Sequence, residues 1–217
     1  MGVFTSKGPK ARKFIDGGTV RTRRSQSGFS LVEIVVTLGV LMIAAGVAVM
    51  NIASAVRNSH IETGYQTTLD QLRFARQTAI DKRTVCRVDF TAPQTISITQ
   101  AFADGTPQQA ETLPLPQDVQ YIVVPGMPSL PDPPPDNIGN GKIAIDFDQI
   151  AGGGGTTIYF QPDGSALDAA GRANDGVVYV ARPGELTGAR AITILGTTGR
   201  IRGWRLVSKP GGGVAWE

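Results

Sequence analysis

The sequence predicts an α+β fold: one long N-terminal helix, half membrane-spanning and half amphipathic, packed on an antiparallel β-sheet domain. Three observations carry this. Residues 34–50 contain neither charge nor proline, about the length that crosses a bilayer as a helix rising 1.5 Å per residue. Beyond them Ile52, Val56, Tyr65, Leu69, Leu72, Ala75, Ala79 and Ile80 recur mostly at spacings of three and four, the period of a helix with one buried face. After Arg83 the pattern alternates in short runs separated by turn residues, which is the signature of strands and hairpins.

Four segments follow in chain order: a basic leader (1–28), a transmembrane helix (29–56), an amphipathic helical half (57–84) and a β-rich globular domain (85–217) with a Pro-rich loop at 125–142. The leader holds Lys7, Lys10, Arg12, Lys13, Arg21, Arg23 and Arg24 against Asp16, so it carries +6 and leaves the remaining chain at −3, against +3 for the whole. A basic flank keeps its side of a membrane helix in the cytoplasm. Without the leader 189 residues remain, enough for one domain and one long helix. The single cysteine, Cys86, excludes an internal disulfide, so the domain depends on its own core.

Glu33 is the only charge in the apolar zone. An acid at the centre of a spanning helix costs roughly 2.5–3.5 kcal/mol, so Glu33 calls for a partner or a place near the interface. Three readings compete. A secretory signal has a small-residue cleavage site available in Ala53-Ser54-Ala55, but the apolar run exceeds the roughly 7–15 residues of such a signal. A plain membrane anchor fits the hydropathy. The third reading comes from the junction, where Ser25-Gln26-Ser27 precedes Gly28, then Phe29 and Glu33.

That junction resembles the class III signal of type IV pilins and pseudopilins. The resemblance implies cleavage by a prepilin peptidase between Gly28 and Phe29, N-methylation of Phe29, and a role in filament assembly for Glu33, which falls at the fifth mature position. The physical reason is that a buried ammonium and a buried carboxylate are each costly alone and tolerable paired. Glu33 would neutralise the new terminus of a neighbouring subunit. The implied fold is pilin-like.

No proline occurs between Phe29 and Ala92, so one helix from about residue 31 to about 82 would be some 80 Å long. Arg57, Glu62, Asp70, Arg73, Lys82 and Arg83 lie mostly off its apolar stripe. Gly39, Gly46 and Ala53 fall seven apart, either admitting another helix closely or reflecting the ordinary tolerance of a membrane helix. Strands are predicted at 85–90 and 95–99 around Ala92-Pro93-Gln94, then at 119–124, 143–147, 157–160, 177–180 and 191–195. The Pro-rich stretch cannot form a ladder and is expected to be a surface loop.

The helical segment 72–80 with the strand after it, the stretch 158–164, and the closing Ile192-Thr193-Ile194-Leu195 with Gly199-Arg200-Ile201-Arg202 narrow the resemblance to minor pilins and pseudopilins of the FimT and GspH type. The loop at 125–142 departs from that pattern. Arg190, Arg200, Arg202, Arg205 and Lys209 form a C-terminal basic cluster that offers Arg200, Arg202 and Arg205 to DNA; in FimT-like minor pilins a Gly-Arg-x-Arg element is associated with DNA uptake, which implies double-stranded DNA as a partner of Arg200 and Arg202. On a strand, Arg200 and Arg202 project from one face and can clamp successive phosphates, with Trp204 and Trp216 near for stacking. The plainer reading is a solvated strand edge, where basic residues discourage aggregation.

Enzyme chemistry is not predicted. His60 reads as a solvated helix residue and Cys86 as a small core side chain. Asp146 and Asp148, with Asp163 or Asp168, have oxygen ligands suited to calcium, though acids in turns and on surfaces commonly look the same. The run at 152–155 lacks the Lys-Ser/Thr of a phosphate loop. No cofactor is expected. The expected partners are the prepilin peptidase, other pilins or pseudopilins, the inner membrane and DNA. The expected location is a single-pass inner-membrane protein with a periplasmic domain, later part of a pilus or pseudopilus. An H-type pseudopilin without DNA binding and an unrelated anchored periplasmic protein remain as alternatives.

Overall fold

The computed structural model describes residues 29–100, 111–129, 134–149 and 152–217. The leader with Gly28, the side chains of Ile52 and Ala53, and Pro131 and Pro133 of the loop lie outside the described residues. Helix α1 runs Leu31–Lys82, 52 residues, as its sequence requires. The chain falls into two units, one ending at Val47 and one spanning Ala48–Glu217.

In the first unit the Ile34 N–H bonds the Ser30 carbonyl and Glu33 sits in the opening turn, where a negative charge suits the helix dipole. Leu31–Ala48 has a mean hydropathy of 2.4 and none of it is buried, so it is long and apolar enough to cross a membrane. A β-carbon on Gly39 or Gly46 would meet nothing within 4 Å, so nothing among the described residues requires either glycine.

In the second unit the apolar stripe of α1 begins one turn later than Val56, which is exposed. Ile61, Tyr65, Leu69, Leu72, Ala75 and Ala79 are buried, and Ile80 is half-buried. Thr68 joins them because its hydroxyl donates to the Gly64 carbonyl and meets the Tyr121 hydroxyl at 3.0 Å. Arg83 takes a left-handed φ of 53° while the Thr84 N–H bonds the Ala79 carbonyl and the Arg83 N–H bonds that of Ile80, a bonding pattern that closes helices.

Two antiparallel sheets share this helix. In the first, β3 (Glu111–Pro114), β2 (Thr95–Gln100), β1 (Cys86–Thr91), β6 (Thr157–Phe160) and β7 (Ala166–Leu167) lie in that order. In the second the order is β11 (Val214–Trp216), β10 (Arg200–Ser208), β9 (Glu185–Leu195), β8 (Gly176–Arg182) and β4 (Gln120–Tyr121), with β5 (Ile145–Asp146) also on β8. The helix stripe, Val88, Phe90, Ile96, Ile158, Phe160, Val178, Val180, Ile192 and Ile194 form one core. The opposite face of the second sheet has a core of its own, built on Val177, Tyr179, Ala189, Ala191 and Leu206. Because β8 is covered on both sides, it reads as a continuous apolar run.

That second core corrects the expectation of a surface loop at 125–142. Met127, Pro128, Pro134, Pro135 and Ile138 are buried, and Val124, Met127 and Ile138 pack on the outer face of β8 and β9. Prolines cannot join the ladder, yet they can cover it as a third layer. Two strands are shorter than predicted. The one at 119–124 keeps only β4, since after the Ile122 N–H bonds the Tyr179 carbonyl the chain turns at 124–127. The one at 143–147 keeps only β5, because the Asn140 side chain accepts the N–H groups of Lys142 and Ile143 and Asp148 has φ 59°.

Candidate nucleic-acid interface

Strand β10 pairs with β9 in the register Arg200↔Leu195, Arg202↔Thr193 and Arg205↔Arg190. Alternation then decides what each arginine meets. Ile201 packs toward the helix-side core and Arg205 reaches Glu62 of α1, Nη2 to Oε1 at 3.3 Å. Arg202 and Trp204 share the opposite face. The three arginines read from the sequence therefore divide: Arg200 and Arg202 stand together, while Arg205 belongs to the helix side.

Arg205 shares its carboxylate with Arg190, whose Nη2 lies 3.3 Å from Glu62 Oε2. Burial alone would raise the Glu62 carboxyl, but the Gln66 hydrogen bond and the Arg190 and Arg205 charges hold it below its ordinary value.

On the outer face Asp136, from the Pro-rich segment, receives Arg202 Nη1 at 2.8 Å and the Thr193 hydroxyl at 2.7 Å, with Arg200 Nη2 at 4.0 Å. The Trp204 N–H donates to the same Thr193 hydroxyl at 3.0 Å, and the Arg202 guanidinium lies 4.6 Å from the Trp204 ring, within cation–π range. Arg202 is thus held by an acid and a ring, whereas Arg200 has, among the described residues, only the longer approach. Asp136 itself sits at φ 53°. No spacing in the sequence links it to Arg202, 66 residues away.

Gly199 of the same element has φ 59°, and a β-carbon there would run into the Gly164 carbonyl and lie 2.9 Å from Arg76 Nε. Glycine is required at this turn by both conformation and space. Arg76 of α1 fixes the arrangement: Nε donates to Gly164 O at 3.0 Å and Nη2 to Thr198 O at 3.1 Å. One helix residue thereby ties down the β6–β7 and β9–β10 turns. Beside them lies a groove of about 570 Å³ lined by Arg73, Arg76 and Gln77 from α1 and by Thr198, Gly199 and Arg200. The sequence showed Arg73 as an off-stripe helix charge, and only the topology brings it to Arg200.

The remaining candidates take other places. Phe29 and Glu33 are exposed at the start of α1. His60 Nδ1 lies 2.9 Å from Asp118 Oδ1, and Asp118 also binds Arg182. Cys86 is fully buried, and burial pushes its thiol up against a smaller pull from Lys82, the reverse of nucleophile activation. Asp146 is buried and serves the backbone: Oδ1 accepts the Gly154 N–H at 2.7 Å and Oδ2 the Asn140 N–H at 3.2 Å. Asp148 accepts the Asn174 side-chain N–H at 2.8 Å, and Asp163 and Asp168 each cap their own turns. Among the described residues no three potential ligands gather for a metal.

Residues 23–49 match the prokaryotic N-terminal methylation motif. The matched span includes the junction of Gly28, Phe29 and Glu33. No curated protein sequence matches the chain. Among solved structures it is similar to the type IV minor pilin FimU of Pseudomonas aeruginosa, at 12% identity and a TM-score of 0.43, over 66% of this chain and 87% of that one. It is also similar to the minor pseudopilin EpsH of the type II secretion system of Vibrio cholerae, at 12% identity and a TM-score of 0.44, over 70% of this chain and 99% of that one.

Proposed function

We propose that this chain is a minor subunit of a type IV pilus or a type II secretion pseudopilus, anchored in the inner membrane by the start of α1 with its β-rich domain in the periplasm. The observation that carries the reading is the methylation motif at 23–49, which takes in the whole exposed apolar stretch Leu31–Ala48. A prepilin peptidase cuts between Gly28 and Phe29, Phe29 is methylated, and Glu33 pairs with the terminus of a neighbour during assembly. Mass spectrometry of the protein from membranes tests this. The expected species begins at methylated Phe29, and Gly28→Ala retains the leader. A protein that begins at Met1, or beyond Ala55, overturns it.

A finer reading adds double-stranded DNA as a ligand of Gly199-Arg200-Ile201-Arg202. It is supported by the Arg200 and Arg202 side chains, about half exposed at 55% and 47% and both near Asp136. Two guanidiniums share one carboxylate there, leaving net positive charge for phosphate. The full-length chain in neutral detergent is expected to bind a DNA duplex with an affinity that falls as salt rises. Equal binding by wild type and by Arg200→Ala plus Arg202→Ala would favour the alternative, an H-type pseudopilin of protein secretion that binds no DNA.

A further inference from the structure

The groove between α1 and the β9–β10 turn gathers three arginines, Arg73, Arg76 and Arg200, and among the described residues no carboxylate lines it. Their engagements differ. Arg76 spends Nε and Nη2 on the Gly164 and Thr198 carbonyls. Among the described residues Arg200 pairs only with Asp136, at 4.0 Å. Arg73 is exposed and makes no ion pair among the described residues. Like charges are costly to crowd without a counterion, and Asp136 is committed to Arg202 and Thr193 and Asp163 to Ser165.

We propose that this groove seats a phosphate of a nucleic-acid strand, bound by Arg73 from the helix and Arg200 from the strand. Arg76 is the positioning residue that holds the Gly199 turn against α1. Guanidiniums suit this task because their planar donors match phosphate oxygens. Arg73 and Arg76, three apart, share one helix face, so the cationic path leads from the helix across the turn to Arg200. It departs from a clamp of Arg200 with Arg202, since the Arg202 guanidinium is already taken by Asp136 and the Trp204 ring. The proposal rests on the DNA reading for the source of the phosphate.

The test uses full-length protein in neutral detergent, titrated with a fluorescent DNA duplex over a salt series, with inorganic pyrophosphate and phosphatidylglycerol nanodiscs as separate arms. Arg73→Gln and Arg200→Gln are each expected to weaken duplex binding about five-fold and to reduce the salt slope by about one. Arg73 is exposed and makes no ion pair among the described residues, so its variant keeps the wild-type circular dichroism. Duplex binding that survives Arg73→Gln but is lost with Arg200→Ala plus Arg202→Ala overturns the groove and leaves the DNA reading standing. Pyrophosphate bound through Arg73 with no duplex binding by the wild type overturns nucleic acid as the source. Arg73-dependent binding to the nanodiscs alone does the same. A wild-type chain that binds none of the three overturns both readings.

Discussion

Gly203→Ala should be among the most damaging single-methyl changes in the domain. A β-carbon built on Gly203 lands on the Tyr65 hydroxyl oxygen, with the ring Cζ 2.7 Å and Cε2 3.1 Å away. Tyr65 is 7% exposed and part of the core beneath both sheets, so its ring cannot swing aside without opening that core. Overpacking of this kind costs about 1–3 kcal/mol. For a chain of this size, 2 kcal/mol corresponds to a fall in Tm of roughly 4–8 °C. Thermal and urea unfolding of the full chain in neutral detergent, followed by circular dichroism, reads both quantities, with the urea slope expected unchanged. Tyr65→Phe removes the hydroxyl and leaves Cζ in place, so the same alanine should cost about 1 kcal/mol less in that background. A Gly203→Ala protein as stable as wild type, or one that Tyr65→Phe does not relieve, would refute the steric account of how β10 seats on α1.

Arg76→Met should destabilise by about 1–3 kcal/mol, since it strands the Gly164 and Thr198 carbonyls; faster hydrogen exchange in the turn at 196–199 is the accompanying readout. Glu62→Gln tests the Arg190 and Arg205 pairings. Because the folded carboxyl is held below its ordinary value, its contribution is present above that ordinary value and lost as pH falls through the folded one. The variant should therefore show a lower urea midpoint than wild type near neutral pH and the same midpoint in strong acid, with a gap that shrinks in salt. Asp136→Asn should free Arg202 and raise duplex affinity about two- to five-fold, measured by the same fluorescent-duplex titration, because a competing carboxylate is removed.

How far the sequence reached depends on whether a signal was local. The helix is legible from end to end because the absence of proline and the three–four spacing act over dozens of residues. β1 and β2 are legible from alternation around a turn, and β6 from a four-residue alternating run. β3, β7 and β11 escape notice for a physical reason: β3 is an exposed edge strand, and the other two have two and three residues, too short to show a period. The Pro-rich stretch misleads in the opposite direction. Its composition forbids a ladder but says nothing about whether the chain lies down on a neighbouring sheet. At the candidate interface the two-residue spacing places Arg200 and Arg202 together. Side-chain alternation along β10 takes Arg205 to the helix side, and strand-to-helix topology brings Arg73 and Arg76 to Arg200, a meeting that no sequence spacing marks.

The sealed position of Cys86 makes the protein convenient to label. The sequence has no other thiol, and this one is wholly enclosed, so a maleimide dye should ignore the native protein while it stays folded. A cysteine introduced in place of exposed Gln77, at the rim of the arginine groove, would then be the sole point of attachment. Fluorescence from that site would report occupancy of the groove directly, with no need to strip the native thiol first.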